Sequence, residues 1–67
     1  MAKIQLNGKK ISIKPNLSLQ DLLKKYNLTY KKVAIEHNGT IISKIHYKKK
    51  FLKNGDIIEI VHFIGGG

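Results

Sequence analysis

The reactive possibilities of this chain gather at its far end, where Asp56-Ile57-Ile58-Glu59-Ile60-Val61-His62-Phe63-Ile64 runs straight into Gly65-Gly66-Gly67. Consecutive glycines lose more conformational freedom on ordering than any other residues, so they cannot be there to stabilise a fold. Without Cβ atoms they form the slimmest segment a chain can present. Extended at roughly 3.3–3.6 Å per residue, they reach about 10 Å, enough to carry the α-carboxylate of Gly67 clear of a domain and into a narrow cleft of another protein. That carboxylate is the expected reacting group, with Gly65 and Gly66 as the threaded approach. Ionised at neutral pH, with a pKa of about 3.3–3.7, it is a poor electrophile and must be activated before a nucleophile can attack it. The competing reading is passive tolerance of small residues at a chain end. It loses weight because the glycines follow an apolar run with no polar spacer.

The remaining residues offer little other chemistry. His37, His46 and His62 do not stand at metal-ligand spacing and have no carboxylate cluster around them, so they are expected on the surface or in turns. There is no cysteine, hence no disulfide framework, thiolate nucleophile or cysteine zinc site, which points to a reducing compartment. Asn7-Gly8, Asn38-Gly39 and Asn54-Gly55 read as turns and not as phosphate-cradling loops, because no glycine-rich signature opens a helix. No catalytic constellation is present. The chain is expected to be a substrate of enzymes and not itself an enzyme, with no cofactor bound.

Size and charge narrow the setting. A chain of 67 residues makes one small domain and leaves no room for an enclosed active site. No apolar run approaches a membrane span, and Met1-Ala2-Lys3-Ile4-Gln5 lacks the apolar core of a secretory signal, so a cytoplasmic protein is expected. Thirteen basic residues, all of them lysine, stand against four acidic ones, for a net charge of +9. Lysine is a point charge and arginine the bidentate reader of phosphate and guanine, so this is a weak nucleic-acid signal. The lysines are scattered along the chain, as on a solvated surface, with a partner-facing patch as the alternative.

The glycine end is carried by a small set of strands and one helix. Ile4 and Leu6 alternate with polar residues, Asn7-Gly8 turns the chain, and Ile11 and Ile13 resume the alternation, which predicts an opening hairpin ended by Pro15. Ser18 is placed to cap a helix whose Leu19, Leu22, Leu23 and Tyr26 form one apolar stripe, with Asp21 in the first turn and Asn27 as the stop. Val33-Ala34-Ile35-Glu36-His37 predicts a third strand and Ile41-Ile42 its short partner across Asn38-Gly39. Residues 45–52 have no period and read as an irregular connection pinned by Tyr47 and Phe51, ending in the turn at Asn54-Gly55-Asp56.

The order β-β-α-β-β-β is an α+β plan, a mixed sheet of four or five strands covered by one helix, with the last strand returning to its centre in the β-grasp arrangement. The expected division is a domain over 1–64 and a flexible glycine tail over 65–67. Because Glu59 resists burial unpaired, Ile58 and Ile60 are expected to face the helix, which leaves Glu59, Val61 and Phe63 on the open face. Val61 and Phe63 are therefore candidates for docking a partner.

A small β-grasp domain running directly into a terminal Gly-Gly resembles the ubiquitin-like sulfur carriers. Within that group, the length and the run from Asn54 to Gly67, backed by Val33 to Gly39, resemble the ThiS family of thiamine biosynthesis. The resemblance implies that an E1-like, ThiF-type adenylyltransferase joins the terminal glycine, here Gly67, to AMP at the expense of ATP. A persulfide donor then supplies sulfur, leaving a thiocarboxylate that a ThiG-type thiazole synthase consumes.

Three readings compete with that one. Molybdopterin-type carriers share the Gly-Gly end but tend to be longer. A conjugation tag would begin from the same activated glycine and end in an isopeptide bond. A lysine-driven nucleic-acid module would make the tail incidental, although the tyrosines and phenylalanines are not interleaved with lysines as a stacking platform requires.

Overall fold

The computed structural model describes residues 1–62. Gly65, Gly66 and Gly67, together with Phe63, lie outside the described residues, as does the expected boundary between domain and tail.

β1 (Ala2–Leu6) and β2 (Lys9–Ile13) form the opening hairpin, in antiparallel register from Ala2 opposite Ile13 to Leu6 opposite Lys9. The chain reverses through Asn7 and Gly8, both at positive φ (48° and 84°), the pair of left-handed residues a type I′ turn demands. α1 (Leu19–Lys25) follows. Ser18 caps it in a reciprocal box: the Asp21 backbone N–H donates to Ser18 Oγ at 3.0 Å, and the Ser18 N–H donates to Asp21 Oδ2 at 3.2 Å. Hydrogen bonding to the Ser18 backbone N–H, and then to the Ser18 side chain, holds the Asp21 carboxyl below its ordinary pKa, helped by Lys24. Asn27, at φ 56°, stops the helix in the left-handed conformation that asparagine tolerates.

A 3-10 turn at Tyr30–Lys32 leads into β3 (Val33–His37), which pairs antiparallel with β4 (Thr40–Ile42) across a second Asn-Gly turn. Another 3-10 turn, Lys44–His46, opens the connection to β5 (Ile57–His62). The sheet order is β2-β1-β5-β3-β4, so the last strand is central, parallel to β1 and antiparallel to β3. This is the β-grasp arrangement anticipated from the element order.

The helix lays Leu19, Leu22 and Leu23 on the sheet, where they join Ile4, Ile13, Val33, Ile35, Ile58, Tyr47 and Leu52 in one core. Two aromatic assignments need correcting. Tyr26 is not part of the buried stripe; it is the C-terminal cap of α1, immediately before the Asn27 stop, and is 42% exposed. Phe51 does not pin the long connection. It is 50% exposed while its backbone bridges to Ser18, and the neighbouring Leu52 is the residue that reaches the core beside Tyr47. Among the described residues, no helix is long and apolar enough to cross a membrane.

Candidate functional site

The strand that leads to the glycine end was expected to be the anchor, and its surroundings show how it is held. β5 alternates: Ile58 is fully buried, Ile57 and Glu59 are exposed, and Val61 is 60% exposed. Ile58 thus faces the helix and Glu59 and Val61 the open face, as the charge on Glu59 required. Ile60 takes the expected face and packs against the core, but it is half-buried where Ile58 is fully buried. An open apolar groove lies beside it, bordered by Leu6, Ile11, Tyr26, Leu28, Ile60 and His62.

Three asparagines, each the first residue of an Asn-Gly turn, fasten β5 and the turn before it through their side chains. β1 pairs with β5 only from Gln5 opposite Ile57 to Leu6 opposite Ile58, and its last ladder bond is from the Asn7 N–H to the Ile58 carbonyl at 2.9 Å. There the chain turns away toward β2, which would leave the next backbone groups of β5 without a partner. The Asn7 side chain replaces the missing strand: its Oδ1 accepts from the Ile60 N–H at 2.7 Å, and its Nδ2 donates to the Ile60 carbonyl at 3.3 Å. At the other end, Asn38 Oδ1 accepts from the Ile57 N–H at 2.7 Å while the Asn38 backbone N–H donates to the Ile57 carbonyl at 2.7 Å. Asn54 Oδ1 accepts from the Lys3 N–H at 2.9 Å, joining the preceding turn to β1.

Asp56 is the hub of the entry to β5. Its carboxylate accepts from His37 Nε2 at 2.9 Å, from the Lys53 backbone N–H at 2.8 Å and from Asn38 Nδ2 at 3.1 Å. Burial pushes its pKa up, but the bonds from His37, Lys53 and Asn38 and the attraction of the His37 ring outweigh that and hold the carboxyl below its ordinary value. His37 was expected on the surface or in a turn. Instead its side chain and that of Asp56 are each 11% exposed, because the Asn38-Gly39 turn folds the end of β3 over the Asp56 turn.

Among the described residues, no group of three or more His, Cys, Asp or Glu could hold a metal. The Asp56 carboxylate and the Asn7 and Asn38 amides are spent on holding β5 and the turn before it. What the geometry supplies is a rigid central strand clamped on both flanks, with Val61 presented outward. Sequence reasoning found the turns but missed the clamps. The signal was the asparagine itself: glycine or aspartate would also serve at such backbone angles, but only an amide pairs with both the N–H and the carbonyl of one residue.

Compared with known proteins, the chain matches the model of the ThiS family over residues 4–67. It is 48% identical over 65 residues to the sulfur carrier protein ThiS of Bacillus subtilis (strain 168), covering 96% of this chain and 98% of that protein. It is also 40% identical over 65 residues to a thiazole synthase of Magnetococcus marinus, a match that takes in 97% of this chain but 20% of that enzyme. The crystal structure of the thiamine biosynthesis protein ThiS from Geobacter metallireducens superposes with a TM-score of 0.83 at 26% identity, covering 97% of this chain and 99% of that one.

Proposed function

The chain belongs to the ThiS family, and from that premise we propose that it is a cytoplasmic sulfur carrier of thiamine biosynthesis whose cargo is borne on the carboxyl group of Gly67. The observation that carries this reading is the near-full-length identity to a protein named as such a carrier, in a chain whose own sequence closes on three glycines.

The chemistry follows from the reluctance of a carboxylate to react. A Gly67 carboxylate oxygen attacks the α-phosphorus of ATP on a ThiF-type enzyme, pyrophosphate leaves, and the acyl adenylate gains a good leaving group in AMP. The terminal sulfur of a persulfide donor then attacks the carbonyl carbon and expels AMP. A second thiol cleaves the resulting acyl disulfide, which leaves the thiocarboxylate on Gly67 and a disulfide on the donor side. The carrier binds no cofactor of its own; ATP is consumed by the activating enzyme. Gly65 and Gly66 supply the width a narrow channel admits, and Val61 with Phe63 gives the apolar contact that docks the carrier.

The consumer of the sulfur is a thiazole synthase of the ThiG type. Support comes from the thiazole synthases of Magnetococcus marinus and Paramagnetospirillum magneticum, each of which contains a stretch similar to this chain amounting to 20% of its length. A carrier and its consumer joined in one polypeptide are two proteins that must meet.

ATP-pyrophosphate exchange with the cognate adenylyltransferase tests the proposal. Adding one residue after Gly67 turns the reacting carboxylate into an amide and should abolish exchange without altering the fold. Gly66→Ala should reduce it, because a Cβ meets the channel wall and restricts φ. Undiminished exchange by the extended protein would refute the assignment of Gly67.

A further inference from the structure

We propose that Asn38 is a modification site: a shielded point of spontaneous deamidation, uncovered when the start of β5 lifts and unable to re-form its bonds once it has reacted. Three Asn-Gly steps stand in the chain, at Asn7-Gly8, Asn38-Gly39 and Asn54-Gly55. Such a step carries its own reagents. The backbone nitrogen of the glycine attacks Cγ of the asparagine, a C–N bond forms, the bond to Nδ2 breaks, and ammonia leaves with the proton of the glycine N–H. Water then opens the five-membered imide on one side to give aspartate, or on the other to give isoaspartate, in which the main chain runs through the side chain. Water is consumed and ammonia released, with no oxidant or cofactor. Glycine favours the attack because no Cβ crowds its nitrogen. At Gly39, where φ is 85°, nothing lies within 4 Å of the position a Cβ would occupy, and the residue is exposed, so water reaches the step.

In the folded chain each step is held back by bonds that serve another purpose. The Asn38 amide is fixed at both atoms, Oδ1 accepting from the Ile57 N–H at 2.7 Å and Nδ2 donating to Asp56 Oδ1 at 3.1 Å. Both partners belong to the entry of β5, so Cγ swings to the Gly39 nitrogen only when that entry lets go. The Asn7 amide is fixed likewise, by Ile60. At Asn54 the restraint lies on the attacking nitrogen, since the Gly55 N–H donates to the Lys3 carbonyl at 2.7 Å. Asn38 is the step at which reaction does most damage. A carboxylate in its place has no N–H to give Asp56 and sets an oxygen where Nδ2 stood, 3.1 Å from Asp56 Oδ1. Two carboxylates that share a site oppose each other's ionisation. The isoaspartate product also adds a main-chain carbon to the turn that sets His37 opposite Thr40. Either product breaks the tie to Asp56, so a brief opening of β5 becomes a permanent one.

The test is ageing of the wild-type protein at mildly alkaline pH, folded in buffer and unfolded in concentrated urea, with peptide mapping to place each conversion, which adds about 1 Da. Because reaction proceeds from the opened state, Asn38 should convert at least about tenfold more slowly in the folded protein than in urea. A rate as fast folded as unfolded overturns the shield, and no conversion at Asn38 in either condition overturns the site. Asn38→Asp should melt several degrees below wild type, whereas Asn54→Asp, which keeps an acceptor for the Lys3 N–H, should melt close to it. Should Asn38→Asp not fold, the deamidated fraction separated from aged protein by ion exchange takes its place. Melting of either form at the wild-type temperature would overturn the consequence for β5. None of these readings involves Gly67 or sulfur, so the proposed function stands or falls separately.

Discussion

An asparagine before glycine is ordinarily explained by its backbone, since it tolerates the left-handed conformation a tight turn requires. Asn7 does that and also clamps Ile60 with both ends of its amide. Asn7→Gly separates the two roles, because glycine keeps the turn and removes the clamp. The expected cost is about 0.5–1.5 kcal/mol per lost hydrogen bond, and amide exchange at Ile60 should quicken ahead of exchange at Ile58. Equal protection at Ile60 in the variant would show that the clamp is incidental. Asp56 gives a second test at this scale. Its folded pKa lies below the ordinary carboxylate value, so the folded state binds its proton less readily than the unfolded chain. The stability it contributes is present above the unfolded pKa and disappears as pH falls through the folded one. Denaturation followed from neutral pH into the acid range should show that loss, and Asp56→Asn should flatten it while costing about 1.5–3 kcal/mol at neutral pH, the worth of hydrogen bonds to a charged group. An unchanged acid limb in the variant would remove Asp56 from the account.

At the level of elements, the two faces of β5 have separate tasks. Ile58 is completely buried against α1, and its replacement by alanine should cost about 2–5 kcal/mol in chemical denaturation. Val61→Ala, on the open face, should stay within about 0.5 kcal/mol of wild type, as surface substitutions do. Similar losses for both would mean that the strand faces are reversed. The strands, the helix start at Ser18 and the central place of β5 were all legible in the sequence, since alternation, capping residues and Asn-Gly turns are local signals. Tyr26, Phe51 and Ile60 were not. Whether an apolar residue is covered depends on what lies next to it in space, and Tyr26, at the cap of α1, and Ile60 both line an open groove. The burial of His37 was equally hidden, because its partner Asp56 is 19 residues away and meets it only through the pairing of β3 with β5. The outward placing of Val61 was legible from the alternation of β5, whereas the side-chain clamps of Asn7 and Asn38 depend on register, which no local pattern supplies.

For the molecule as a whole, the structure separates holding from reacting. The described residues make a clamped sheet with no metal or catalytic cluster among them, and the chemistry is assigned to the glycine end that β5 leads to. The net charge of +9 favours association with acidic surfaces at long range. The central claim is that Gly67 carries sulfur. It is tested most directly by the intact mass of the protein after incubation with its adenylyltransferase, ATP, a persulfide donor and a thiol. Exchange of one carboxylate oxygen for sulfur should add about 16 Da, a covalent change that no binding role produces. The protein extended by one residue should stay at its starting mass. An unshifted wild type, or an equal gain by the extended protein, would contradict the account.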